Sequence, residues 1–204
     1  MNPKMYRGIY KNEKYIGILM IGIFVLVVFA SGCTASGGNS YSNSGVNFNY
    51  PKNWTLNDSS WQNGTGWIDI QDPQNNNTYC KIYSNQISID NAEIIKSGNN
   101  ITIISEKQVE INGMKGSELI FTSNIKNLTT SNSNEFDTKA AEADLRGAML
   151  QGRNILNDDD TEREFMSVIL EKSPNNYVLT FSALPEDFNT QKPNFDLILS
   201  SFNA

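Results

Sequence analysis

The sequence of 204 residues contains no histidine. That absence excludes an imidazole general base, Ser/His/Asp and Cys/His catalytic pairs, and a histidine-ligated zinc or haem. Cysteine is nearly as scarce: Cys33 and Cys80 are too few for a multi-bridge disulfide scaffold or a four-cysteine metal site. Positive charge is in deficit, with 16 Lys and Arg against 22 Asp and Glu, a net charge of −6 and a pI near 4.7. Such a chain has no basic footprint for nucleic acid. Its glycine-rich stretches carry neither Walker nor dinucleotide spacing, so no nucleotide site is expected.

Long apolar runs are confined to the start. Lys4, Arg7, Lys11 and Lys14 precede an apolar run from Tyr15 to Ala30, which stops at Ser31-Gly32-Cys33. A basic stretch, an apolar stretch and small residues in that order are the layout of an export signal. The Ala30-Ser31-Gly32-Cys33 segment resembles a lipobox, in which the cysteine becomes the lipid-bearing first residue, although Leu is usual where Ala30 stands. The alternative is an uncleaved anchor helix with Cys33 at its outer end. Both place the remaining chain outside the membrane, because the positive charges are retained on the cytoplasmic side. Residues 1–32 hold four of the basic groups and one of the acids, which leaves 12 against 21 and a net charge of −9 on the exported part.

Residues 34–45 read TASGGNSYSNSG, the composition of a flexible tether, so the expected organisation is a leader at 1–32, a lipidated cysteine and tether at 33–45, and a domain at 46–204. Asparagine makes up roughly one residue in seven, far above ordinary usage. Six Asn-x-Ser/Thr sequons occur, at Asn53, Asn57, Asn63, Asn76, Asn100 and Asn127. In an exported domain these are candidate N-glycosylation sites, and a modified one has to lie in an exposed turn.

Within the domain most segments read as strands. Val46 to Tyr50 alternates apolar and polar residues and ends at Pro51. Trp54 to Leu56, Gly66 to Ile70 and Thr78 to Tyr83 follow, and Asp90 with Glu93 signals a helix start ahead of Ile94 and Ile95. Two runs between Ile101 and Thr122 flank Asn112-Gly113, a pair that favours the positive φ angles of a type I′ hairpin turn. A second hairpin is expected from Phe165 to Glu171 and Tyr177 to Ala183, turning at Pro174-Asn175-Asn176. Phe195, Ile198, Leu199 and Phe202 fall at i, i+3, i+4 and i+7, the single apolar stripe of a helix lying on a sheet. Between the hairpins, residues 123–163 form a polar and partly helical excursion, and in a β-rich domain such an interruption suggests binding.

The segment Gly45-Val46-Asn47-Phe48-Asn49-Tyr50-Pro51-Lys52-Asn53-Trp54 resembles the G-x-x-F-x-Y-P-x-x-W opening of PsbP-like domains. Glu110 to Gly116 is similar to their central hairpin, and the ending from Tyr177 to Ala183 with Phe195 to Phe202 is similar too. With the lipobox, the chain resembles PsbP-related lipoproteins of methanogenic archaea over about residues 45–204, the excursion apart. The resemblance implies an α+β fold, an α/β/α sandwich on a largely antiparallel sheet. It implies no catalytic motif, since relatives range from a photosystem accessory protein to envelope lipoproteins.

Few residues stand out as sites. Trp54 is expected to plug the sheet end, whereas Trp61 and Trp67, set among Asn and Gly, are candidate solvent-facing rings for a sugar ligand. Asp158, Asp160 and Glu162 offer oxygen ligands for Ca²⁺, but the sixth position counted from Asp158 is Arg163 and not the glycine of an EF-hand. The default reading there is a solvated acidic loop, and no cofactor is implied. Cys80 reads as a small buried residue, with Lys81 pointing to the opposite strand face. The expected function is that of a membrane-anchored, outward-facing, non-catalytic protein that binds a partner protein, an envelope glycan or a small ligand. A carboxylate-dependent cell-surface hydrolase is the alternative, because paired acids are spatial and not sequential. A purely structural surface protein is the third reading.

Overall fold

The computed structural model describes residues 38–85, 91–96, 101–124 and 160–204. Nine strands and two helices occur among them. β1 (Asn39–Asn43) and β2 (Val46–Tyr50) form a separate antiparallel hairpin. β3 (Thr55–Asn57), β4 (Gly66–Gln71), β5 (Tyr79–Asn85), β6 (Thr102–Ile111), β7 (Met114–Asn124), β8 (Glu162–Lys172) and β9 (Asn175–Ala183) build one antiparallel sheet in the order β3-β4-β5-β9-β8-β7-β6. The short helix α1 (Asn91–Lys96) stands between β5 and β6 in sequence, and the long helix α2 (Pro185–Ser201) closes the chain.

The alternation of apolar residues decides which face each helix covers. Ile68, Ile70, Cys80, Ile82, Met166, Val168, Leu170, Leu179 and Phe181 form one cluster with Phe188, Phe195, Ile198 and Leu199 of α2 and with Phe202 just beyond it. Phe195 meets Phe181 at 4.9 Å between ring centroids and Trp54 edge-on at 6.3 Å, so Trp54 is buried against the helix. Removing a buried ring such as Phe195 typically costs about 3–5 kcal/mol. The opposite face carries a smaller cluster of Leu119, Phe121, Phe165, Ile169 and Val178, covered by Ile95 of α1. The sheet is thus sandwiched between a long helix and a single-turn one.

A hairpin turn and a close contact between strands fasten this assembly. Asn112 and Gly113 have φ of 48° and 82°, the double positive conformation of a type I′ turn. From that turn the Asn112 amide donates to the carbonyl oxygens of Phe202 at 2.7 Å and Ser200 at 3.2 Å, satisfying groups left over at the end of α2. At Gly116, a Cβ would lie 1.8 Å from the Ile169 carbonyl oxygen, so the close approach of β7 to β8 requires glycine there.

Three boundaries differ from the sequence reading. Asn39–Asn43, expected within the tether, is a strand in register with β2. The tight turn at Ser44 and Gly45 allows it, and Tyr41 holds it by stacking on Phe48 at 5.0 Å and donating to the Asp58 carboxylate at 2.9 Å. The excursion is also shorter at both ends, since Ser123 pairs with Arg163 and Asn124 with Glu162 as a continuation of the β7–β8 ladder. Its remainder at 125–159, with the helical part expected there, lies outside the described residues, as does the leader with Cys33. Finally, the second hairpin turns at Ser173-Pro174, and β9 already begins at Asn175.

Candidate binding face

The sheet face opposite α2 is chemically divided. Cross-strand registers align three rows on it: Trp67, Tyr83, Val178 and Ile169; Asp69, Lys81, Thr180, Ser167 and Leu119; Gln71, Tyr79, Ser182, Phe165 and Phe121. Toward β7 and β8 the rows end in the apolar cluster under α1, where Phe121 and Phe165 stack at 5.2 Å. Toward β4 and β5 they end in polar and aromatic groups. Directly opposed residues of an antiparallel pair project to the same side, so these groups are neighbours in space.

The centre of the polar half is an ion pair between Lys81 Nζ and Asp69 Oδ1 at 2.8 Å, with side-chain exposures of 3% and 20%. Beside it the hydroxyls of Ser167 and Thr180 share a hydrogen bond of 3.1 Å, and Ser182 Oγ has no hydrogen-bond partner among the described residues. Taking a lysine out of water is costly, and pairing it with a carboxylate offsets that cost without a clear net gain over apolar residues. Trp67 and Tyr83, register partners one row away, are half-buried and flank the pair. Of these groups Trp67, Tyr83 and Asp69 are partly exposed, whereas Lys81 and the hydroxyls of Ser167, Thr180 and Ser182 are buried beneath them, so a ligand would meet two aromatic rings beside a carboxylate that the buried lysine holds in place.

Nucleophilic chemistry finds no support in the cysteine. Cys80 is fully buried on the α2 side, and burial, reinforced by the Asp69 charge, pushes its thiol well above the usual range. A thiolate there is strongly disfavoured.

The sequence-derived candidates fall in different places. Trp67 lies on the divided face. Trp61 does not: it is only 5% exposed and joins the α2-side core, because an apolar ring in this Asn- and Gly-rich loop gains more from burial than from solvent, so it offers no open platform. Asp160 and Glu162 are exposed at the start of β8, Asp158 lies outside the described residues, and among the described residues no three His, Cys, Asp or Glu side chains gather as a metal site. Asn53, Asn57, Asn63 and Asn76 are all exposed, while Asn100 and Asn127 lie outside the described residues. Sequence reasoning missed Asp69, Lys81, Tyr83, Thr180 and Ser182. The period-2 pattern of TYCKIY and YVLTFSA already puts Lys81 and Tyr83 on one face and Thr180 and Ser182 on another, but only the β5–β9 pairing joins the two.

No protein-family model matches the sequence, and no curated protein shows significant similarity to it. Solved structures do match. Cyanobacterial PsbP (CyanoP) from Synechocystis superposes with a TM-score of 0.50 at 14% identity, spanning 85% of this chain and 98% of its own. LpqN of Mycobacterium tuberculosis, described as involved in cell envelope biogenesis, gives a TM-score of 0.40 at 12% identity over 84% of this chain and 88% of its own. A Bacteroides thetaiotaomicron protein gives 0.45 at 12% identity, over 82% of this chain and 48% of its own. At these identities the likeness speaks for architecture alone. The chain has a PsbP-like fold, an α+β sandwich on an antiparallel sheet.

Proposed function

We propose that this chain is a membrane-anchored, outward-facing lipoprotein with no catalytic role, which binds a polar, hydroxyl-rich ligand such as an envelope glycan on the sheet face around Lys81 and Asp69. The observation that carries the proposal is the buried Lys81–Asp69 pair flanked by Trp67 and Tyr83. Aromatic rings stack on the apolar faces of sugars, and the partly exposed Asp69 carboxylate, oriented by the buried Lys81, can accept hydrogen bonds from sugar hydroxyls. The export layout of the N-terminus supports the location. The lack of histidine and the suppressed thiol support binding over turnover.

The test is a titration of the purified domain with fragments of the envelope polysaccharide, followed by tryptophan fluorescence and calorimetry. Trp67→Ala is expected to weaken binding about tenfold, which corresponds to roughly 1.4 kcal/mol of lost stacking. Unchanged affinity in that variant contradicts the proposed face. Turnover of the polysaccharide that disappears on substitution of one Asp or Glu contradicts the non-catalytic reading.

A further inference from the structure

Four sequons are described, and the fold presents them unequally. A transferase that glycosylates a folded domain has to grip the asparagine carboxamide and the hydroxyl two residues on, with the backbone between them free to adapt. At Asn53 the middle residue is Trp54, only 3% exposed and anchored against Phe195. At Asn63 the backbone is bent into a turn, with φ of 53° at Asn63 and 80° at Gly64, and the Thr65 hydroxyl is donated to the Gln62 carbonyl at 3.0 Å. At Asn76 the partner hydroxyl belongs to Thr78, whose exposure is 0%.

Asn57 differs in the exposure of both groups a transferase has to grip, although the carboxylate of Asp58 between them is tied to Tyr41 at 2.9 Å and Asn43 at 3.3 Å. Asn57 and Ser59 are both exposed, and Asp58 between them is outside the core clusters. Asn57 ends β3, the edge strand of the sheet among the described residues, where no described strand pairs with its outer side. Its side-chain oxygen already folds onto the Ser59 backbone N–H at 3.1 Å, bringing the carboxamide next to the residue that carries the hydroxyl.

We propose that Asn57 is the N-glycan acceptor of the folded domain. Asn57 Nδ2 attacks the anomeric carbon of a lipid-linked oligosaccharide, the Nδ2–carbon bond forms as the carbon–oxygen bond to the lipid phosphate breaks, and Nδ2 loses one proton to the transferase. The inference rests on the outward location given above, since the donor lipid and the acceptor have to meet on the same side of the membrane. Asn57 is the register partner of Asp69, so the glycan stands at the border of the candidate binding face.

The test is glycopeptide mass spectrometry on protein purified from membranes of the source organism, together with protease accessibility on intact cells. The expected result is substitution at Asn57 with Asn76 bare, loss of the glycan in both Asn57→Gln and Ser59→Ala, and retention in Ser59→Thr. Ser59→Ala keeps the asparagine, so its loss of glycan separates sequon recognition from misfolding. An accessible protein with Asn57 bare, or with all four sites equally occupied, overturns the inference and leaves the location standing. An inaccessible protein overturns both.

Discussion

Asn112 shows how one side chain joins two parts of the molecule. It adopts a φ of 48° at the tip of the β6–β7 hairpin, and from there its amide caps the carbonyls at the end of α2. The two roles separate by substitution. Asn112→Gly keeps the turn and loses the hydrogen bonds, an expected cost of about 1 kcal/mol. Asn112→Ala loses the bonds and adds left-handed strain, so it is expected to cost about 1–2 kcal/mol more. Urea unfolding of the two variants measures the difference, and equal midpoints contradict the assignment of strain. The turn itself is readable from Asn-Gly between two alternating runs. Its grip on α2 is not readable, because the donor and acceptors are 88 and 90 positions apart.

At the scale of elements, β1 is the strand that composition concealed. Its residues NSYSN favour turns, and its place in the fold rests on Tyr41, packed on Phe48 and donating to Asp58. Burial, with help from the hydrogen bond to the Asp58 carboxylate, raises the Tyr41 phenol from 10.0 to about 12. The folded state therefore holds that proton more tightly than the unfolded state. The resulting stabilisation is complete below pH 10 and is lost as the pH rises through about 12. Tyr41→Phe is expected to flatten this part of the stability profile, measured by chemical unfolding at a series of alkaline pH values, and an unchanged slope contradicts the account. Of the strands that sequence did reveal, β2, β4 and β5 alternate and bury their apolar side against α2, β8 and β9 bury both faces, and β6 stays mostly exposed. The helix stripe at Phe195, Ile198, Leu199 and Phe202 is legible for the same reason, and all four residues are buried. What stayed hidden is the pairing of β5 with β9 and of β7 with β8, since strand order is set by long-range closure and not by local pattern.

For the whole molecule, charge and anchoring set the working environment. If residues 1–32 are an export leader, as proposed, the rest of the chain carries a net −9, a charge that an anionic membrane surface repels. If Cys33 bears the lipid, Cys33→Ser is expected to move the protein from the membrane fraction to the soluble one in cell fractionation. Retention of that variant in the membrane points instead to an uncleaved helix. Candidate ligand residues were only partly legible: Trp67 stood out as an aromatic among polar neighbours, but Trp61 looked the same and is buried. Lys81 and Asp69 come together only through the register of β4 and β5.

The central claim is that the divided sheet face is where a polar ligand binds, and mapping backbone and indole amide shifts by NMR during titration with envelope saccharides tests it most directly. The account predicts shifts centred on Trp67, Asp69, Lys81 and Tyr83, with the outer surface of α2 unmoved. Shifts centred on α2, or none at saturating saccharide, contradict it.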